Sequence, residues 1–177
     1  MAARHAGHGG ATVAAMARII LGGSSPLDQL GGAPLGLCFV ETDGDIEGLD
    51  VLKICEDGFT GTPHNVLTDG FEAFAASGGP QADTIFPGRP LPTGCGACPE
   101  ALTCGGGYVP HRYGRTGGLN HPSVWCRDLL GLFGRLRRLL DVDHHETHAR
   151  RQALAALAAG ATQATGVMPP SVARGRG

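Results

Sequence analysis

The sequence predicts a small α+β domain built from a β-hairpin, short helices and a cysteine-rich loop. The chain has 177 residues, enough for one compact domain. Its 30 glycines and 12 prolines, set against only 5% aromatic residues, indicate many loops and a modest hydrophobic core. Apolar residues recur with both helical and strand-like periods along the chain. A domain with so small a core needs additional stabilisation beyond hydrophobic packing.

Three helices are predicted from apolar periodicity and from glycines that end it. The first covers residues 11–21, and its apolar face is formed by Val13, Met16, Ile20 and Leu21. The second spans about two turns within the stretch FEAFAAS, where Thr68 or Asp69 is the expected N-cap. The third begins at Arg127 and buries its leucines and Phe133, while its arginines occupy the opposite face. Residues 77–94 are rich in Gly and Pro and are predicted to be an irregular connector.

The hairpin is predicted where an apolar run, residues 35–40, meets Asp43-Gly44 and then resumes at Ile46. Asp-Gly between such runs favours a two-residue type I′ turn, in which both central residues have a positive φ. Acidic residues alternate along this segment and are predicted to form a solvated face: Glu41, Asp43, Asp45 and Glu47.

Charge and hydropathy exclude several classes of function. The formal net charge is −2 without a long basic block, so no nucleic acid partner is indicated. No run reaches the roughly 18 apolar residues of a membrane span. Arg18 interrupts the apolar part of the N-terminal segment, which argues against a signal peptide. The sequence therefore predicts a cytoplasmic protein, where clustered cysteines hold metal more often than they form disulfides.

Four of the six cysteines form the strongest candidate site. Cys95, Cys98 and Cys104 stand in a C-x2-C-x5-C array, and Cys126 follows after 21 further residues. A C-x2-C turn brings two sulfurs to one side, as a zinc ion or an iron-sulfur cluster requires. Zinc sites usually present two close pairs, whereas clusters tolerate uneven spacing because their ligands approach from several directions. The spacing favours a cluster and leaves zinc, and after it disulfides or free thiols, as the alternatives.

The run from ETDGDIEGLDVLK to CGACPEALTCGGGYVPHRYGRTGGLNHPSVWCRDLL resembles the C-terminal SPASM domain of radical SAM peptide maturases. The most similar members crosslink ribosomally made peptides into cyclophanes. The resemblance covers roughly residues 18–140 and implies an auxiliary 4Fe-4S cluster bound at Cys95, Cys98, Cys104 and Cys126. Outside that range, the composition of the sequence predicts a flexible lead at 1–17 and a polar, Ala-rich, partly disordered tail at 141–177. Within that tail, residues 150–159 are predicted to be helical, and the last dozen residues to be disordered.

Three departures from the family pattern limit what the resemblance implies. Tyr108 and Leu49 stand where the common pattern has further cysteines, so one auxiliary cluster is the maximum expected. No C-x3-C-x2-C loop exists, so the chain has no motif of its own for generating a radical. Three alternatives are open: a subunit that works beside a separate radical SAM core subunit, a fragment left by a split or truncated gene, or a domain repurposed for binding. For the first, the resemblance implies auxiliary electron transfer or substrate positioning in the modification of a precursor peptide. A zinc-stapled module that binds a peptide or protein is the competing hypothesis, and enzymatic activity of the chain alone stays open.

The remaining polar motifs are expected to be structural. The HHETH stretch, from His144 to His148, resembles H-E-x-x-H but has the wrong spacing, so a solvated helix face is predicted rather than a metal site. The loop at 110–125 carries His111, Arg112, Tyr113, Asn120 and His121, which are expected to satisfy backbone groups. Of the two remaining cysteines, Cys38 is predicted to be a small core hydrophobe and Cys55 is given no role.

Overall fold

A computed structural model gives the structure of residues 8–25, 27–86 and 88–165. These ranges form helices joined by long loops and one two-stranded antiparallel sheet, a mixed α and β architecture as the sequence predicts. The elements in chain order are α1 (His8–Ile20), β1 (Phe39–Val40), β2 (Ile46–Glu47), α2 (Phe71–Ala76), α3 (Gly79–Ile85), α4 (Ala101–Cys104), α5 (Cys126–Leu140) and α6 (His144–Thr165). Short 3-10 helices cover Asp50–Ile54, Thr93–Cys95 and Val109–Arg112.

The predicted hairpin is present, and its register places Val40 opposite Ile46. The prediction of a type I′ turn is wrong, because only Gly44 of the Asp43-Gly44 pair has a positive φ, at +93°. The Gly44 N–H donates to the carbonyl of Glu41 at 2.9 Å. A three-residue loop that ends in a left-handed glycine is the next most common way to close a hairpin after the two-residue turns.

The Asn65 side chain holds the turn in place from outside the hairpin. Its Nδ2 donates to the Asp43 carbonyl at 3.1 Å and to Asp45 Oδ1 at 2.9 Å, while its Oδ1 accepts the Leu67 N–H at 2.9 Å. Asn65→Ala is expected to lower the free energy of unfolding by about 1 to 2 kcal/mol in urea denaturation, because these bonds are partly exposed. Gln152→Ala, which removes an exposed amide on α6, is the matched control; an equal loss in both variants would contradict this role.

One core cluster, called here the helical core, forms between α1, α5 and the segments that adjoin them. Its buried side chains are Met16, Ile19, Ile20, Leu30, Phe133, Leu136 and Val142. The predicted apolar face of α1 is corrected in part, because Val13 is exposed and Leu21 lies beyond the end of the helix and is also exposed. The prediction that every arginine of α5 faces away from the core is wrong as well, since Arg137 is buried.

A second cluster, called here the hairpin core, lies under β2, α2 and α3. It contains the buried residues Ile46, Leu49, Leu52, Phe74, Ala82, Ile85 and Val109. Helix α2 forms where it is predicted, but Gly70 occupies its N-cap position without a side-chain cap. Asp69 instead accepts the N–H of Asn65 at 3.1 Å, so neither proposed capping residue serves that role.

Helix α3 corrects the prediction of a wholly irregular connector between residues 77 and 94. Pro80 lies in its first turn, where a proline is tolerated because that position needs no N–H partner within the helix. The helix buries Ala82 and Ile85 in the hairpin core, and the Gln81 side chain donates to the carbonyl of Phe59. Tertiary burial thus stabilises a segment that its composition disfavours.

The domain is larger at both ends than residues 18–140. Residues 8–17 belong to α1 rather than to a flexible lead, and Met16 is fully buried. Beyond residue 140, Val142 joins the helical core, and the Thr147 hydroxyl of α6 donates to the Ile20 carbonyl at 2.7 Å. The helix predicted over residues 150–159 is confirmed as part of α6. The first seven residues and the last dozen, predicted to be flexible or disordered, lie outside the described residues.

Between residues 8 and 165, leaving aside Pro26 and Pro87, no helix combines the length and the apolar character that a bilayer crossing requires.

Candidate metal centre

The four cysteines singled out in the sequence line one small cavity. Cys95, Cys98, Cys104 and Cys126 share it with a mostly small or apolar lining of Ala101, Gly106, Ser123 and Leu130. All six cysteines of the chain lie within the described residues and carry free thiols. The structure therefore brings together the C-x2-C-x5-C array and the distant Cys126.

Local backbone geometry explains how the four thiols reach one cavity. Cys95 ends a 3-10 turn, and its carbonyl accepts the N–H of Cys98 at 3.1 Å, which closes the C-x2-C turn. Cys104 is the last residue of α4. Cys126 is the first residue of the 15-residue helix α5. The first turn of α5 therefore places the Cys126 thiol at the same cavity as the three thiols of the array.

The glycine run after Cys104 lets the chain turn tightly around the cavity. Gly105, Gly106 and Gly107 all have a positive φ, between 64° and 81°, a conformation that favours glycine. A Cβ on Gly105 would lie 2.2 Å from the backbone nitrogen of Gly32. The Gly31 N–H in turn donates to the Cys104 carbonyl at 3.2 Å. The segment around Gly31 and Gly32 thus packs directly on the cysteine loop.

The thiols influence one another electrostatically. Burial raises the pKa of the Cys104 thiol to about 11, and the neighbouring thiols Cys95, Cys126 and Cys98 act in the same direction. The Gly106 N–H donates a hydrogen bond to Cys104 and partly offsets that rise. Burial also raises the pKa of Cys95. Deprotonation of these thiols inside one cavity is therefore costly unless a positively charged group stabilises the thiolates.

The donor set fits an iron-sulfur cluster. Four cysteine sulfurs around one cavity are the usual ligands of a 4Fe-4S cluster, and the Gly106 N–H supplies a hydrogen bond to one of them. Over the ranges that the structure describes, no three Cys, His, Asp or Glu side chains converge closely enough to hold a single metal ion.

A buried ion-pair network secures the loop that carries the cysteines. Glu100, two residues after Cys98, is 3% exposed. Arg137 of α5 donates through Nε to its Oε1 at 2.7 Å and through Nη2 to its Oε2 at 3.0 Å. The Thr103 hydroxyl also donates to Glu100, and His144 Nε2 lies 2.8 Å from Oε1. Burial acts to raise the pKa of Glu100, but these hydrogen bonds outweigh it, so the pKa is lowered.

The same arginine extends the network to the other helices. Arg137 Nη1 donates to the hydroxyl of Thr147 at 2.8 Å and to the carbonyl of Asp143 at 3.0 Å. The Thr147 hydroxyl in turn donates to the carbonyl of Ile20, the last residue of α1. Sequence reasoning missed this network, although Arg137 stands four residues after Phe133 and therefore on the apolar side of α5. The network joins the cysteine loop to α1, α5 and α6.

The other polar motifs have structural partners. In the HHETH stretch the three histidines are exposed, Glu146 is half-buried and Thr147 is buried. The two histidines considered as a pair have different neighbours: His144 contacts Glu100, and His148 Nε2 lies 2.9 Å from Gln152 Nε2. In the loop after the array, Asn120 accepts the N–H of Thr93 at 2.8 Å, which confirms a backbone-satisfying role.

Cys38 and Cys55 lie away from the cavity, packed against the hairpin core and partly buried. Burial raises the pKa of both thiols, which keeps them protonated at neutral pH. The prediction that Cys38 behaves as a small hydrophobe is confirmed, and the same environment applies to Cys55.

Comparison of the chain with protein-family models, with curated proteins and with solved structures found no match. The assignment of chemistry to the cavity therefore depends on its residues and their geometry.

Proposed function

We propose that this chain binds one 4Fe-4S cluster through Cys95, Cys98, Cys104 and Cys126. The observation that carries the proposal is the single cavity lined by all four thiols. Three of them come from separate helical elements and Cys98 from the loop between two of these, at positions as far apart as 31 residues. A chance arrangement of unrelated cysteines would not bring the distant Cys126 to the C-x2-C-x5-C array.

The uneven spacing of the four cysteines supports a cluster over a zinc ion. Zinc sites usually present two close pairs, whereas here a C-x2-C-x5-C array is completed by the distant Cys126. The backbone N–H of Gly106 also donates to a ligand sulfur, and hydrogen bonds of that kind tune the reduction potentials of clusters. Zinc remains the alternative that the experiment below distinguishes.

The proposed role is auxiliary electron transfer or substrate positioning in the modification of a ribosomally made peptide. A bound 4Fe-4S cluster supplies one-electron transfer at low potential. Since four cysteines occupy all its coordination positions, the chain holds the cluster without leaving a site for substrate. The Glu100–Arg137 pair fixes the loop that carries three ligands. A separate radical SAM core subunit would supply the radical, because the six cysteines include no C-x3-C-x2-C loop.

Anaerobic purification followed by iron, sulfide and zinc analysis tests the proposal. The wild-type chain is expected to contain about four irons and four sulfides and to be brown. Cys104→Ser should lose most of both, because it removes one of the four proposed ligands. Cys38→Ser is the matched control, since it removes a partly buried thiol outside the cavity and should keep the full iron content.

One zinc per chain without sulfide would contradict the cluster and support the zinc-stapled binding module. Equal iron loss in Cys104→Ser and Cys38→Ser would contradict the assignment of the ligands.

A further inference from the structure

Two buried arginines lie beside the cysteine cavity with part of their hydrogen-bonding capacity unused. Arg89 is 4% exposed and Arg112 is 3% exposed. Arg89 Nε and Nη1, together with Arg112 Nη1, are buried without a hydrogen-bond partner. A buried donor that lacks a partner costs about 1 to 3 kcal/mol, and more when it is charged. A negative charge in the neighbouring cavity would offset part of this cost.

The backbone fixes both guanidinium groups next to the cysteine loop. Arg112 donates through Nη2 to the Pro90 carbonyl at 2.7 Å and through Nε to the Leu119 carbonyl at 3.3 Å. Its unpartnered Nη1 lies 3.2 Å from the position that a Cβ on Gly106 would occupy, and Gly106 lines the cavity.

Arg89 approaches the loop from the other segment that packs on it. Its Nη2 donates to the Leu30 carbonyl at 2.9 Å, and its backbone N–H donates to the Gly32 carbonyl at 3.2 Å. Gly31, between those two residues, donates its own N–H to Cys104. The guanidinium is thus anchored to the backbone that contacts the cysteine loop.

The charges of this arrangement balance only when an anion is present. Within the described parts of the chain, neither arginine forms an ion pair with a carboxylate, and Asp28 acts on Arg89 only at longer range. Burial lowers the pKa of Arg89, and the nearby Arg112 lowers it further. The thiolates of Cys104 and Cys95 act in the opposite direction on Arg112. Two like charges buried together are stabilised by a negative charge in the cavity.

We propose that Arg89 and Arg112 are positioning residues that offset the negative charge of the thiolate-bound cluster and raise its reduction potential. This inference rests on the proposed cluster. Reduction adds one electron, and hence one negative charge, to the cavity, so nearby positive charges stabilise the reduced form more than the oxidised form. Removal of either arginine should therefore lower the potential.

The test is a redox titration of anaerobically purified protein, in which an electrode supplies the electron and EPR follows the reduced cluster. Arg112→Gln and Arg89→Gln are compared with wild type, after iron and sulfide analysis of each. Arg115→Gln is the matched control, because Arg115 belongs to the same loop and is exposed. Each test variant is expected to keep its iron and to shift the one-electron equilibrium at least tenfold toward the oxidised form, about 59 mV. The control should not shift.

Arg112→Lys separates charge from packing. It keeps the positive charge but loses the planar fork, so its potential should lie closer to that of wild type than the potential of Arg112→Gln does. If Arg112→Gln does not fold, Arg89→Gln compared with the control decides the question in its place.

Unchanged potentials in iron-loaded Arg89→Gln and Arg112→Gln would overturn this inference and leave the cluster itself established. Absence of iron and sulfide from the wild-type protein would overturn the proposed function, and this inference with it.

Discussion

Glu100→Ala is expected to lower the free energy of unfolding by about 3 to 5 kcal/mol, the cost of removing one partner of a buried ion pair. The substitution leaves the guanidinium of Arg137 buried without its carboxylate, since that side chain is only 8% exposed. It also removes the acceptor of Thr103 and His144. Urea denaturation at pH 7, followed by far-UV circular dichroism, measures the loss; Glu100 is charged at that pH because its pKa is lowered.

Glu146→Ala is the matched control for this prediction. Glu146 forms an i,i+4 pair with Arg150, at 2.6 Å between Arg150 Nη2 and Glu146 Oε1, with both side chains more than 40% exposed. Exposed pairs of this kind contribute only about 0.3 to 0.5 kcal/mol. Glu100→Gln, which keeps an acceptor but loses the charge, should fall between the two. A loss in Glu100→Ala no larger than that in Glu146→Ala would contradict the importance of the buried network.

Gly105→Ala is expected to cost about 2 to 5 kcal/mol in the same measurement. A left-handed conformation costs a non-glycine residue about 1 to 2 kcal/mol, and overpacking adds about 1 to 3 kcal/mol. Gly105 has a φ of +64°, and the new Cβ would lie 2.2 Å from the nitrogen of Gly32, a backbone atom. The segment at Gly31 and Gly32 must then move away from the cysteine loop and lose its hydrogen bond to the Cys104 carbonyl.

Gly118→Ala isolates the conformational part of that cost. Gly118 has a φ of +56°, and no atom lies within 4 Å of the position that its Cβ would occupy. This variant should therefore lose only about 1 to 2 kcal/mol. Equal losses at the two positions would show that the contact between Gly105 and Gly32 does not constrain the loop.

Elements whose signals are local could be predicted from the sequence. Helix α5 follows from the spacing of its leucines and Phe133, and the hairpin follows from Asp43-Gly44 between two apolar segments. The prediction of a type I′ turn is wrong, because only Gly44 takes the left-handed conformation. The conformation of this turn depends on contacts with Asn65, more than 20 residues away. Local pattern thus located the element, while a distant residue determined its detail.

Elements stabilised by distant contacts could not be predicted in this way. Helix α3 lies in a segment rich in Gly and Pro, and it forms because Ala82 and Ile85 are buried against residues from other parts of the chain. The Glu100–Arg137 pair joins positions 37 residues apart, and no short-range pattern relates them. The charge of Arg137 favours the solvated face of α5, whereas its position four residues after Phe133 places it on the side of the helix that faces the core.

The candidate site was predictable in its residues but not in its surroundings. The C-x2-C-x5-C spacing identified three cysteines, and the position of Cys126 before the leucine-rich helix identified the fourth. Arg112 was assigned a backbone-satisfying role, which its bonds to Pro90 and Leu119 confirm, but its burial beside the cavity depends on how the loops pack. Arg89 lies in the segment that is predicted to be irregular from its composition, and no sequence pattern indicates its place beside the cysteine loop.

Native mass spectrometry of the anaerobically purified full-length chain tests the central claim most directly, because it weighs the bound group together with the polypeptide. The account predicts one dominant species heavier than the polypeptide by four irons and four sulfides, absent from Cys104→Ser and retained in Cys38→Ser. A dominant species heavier by one zinc, or the bare polypeptide alone, would contradict it.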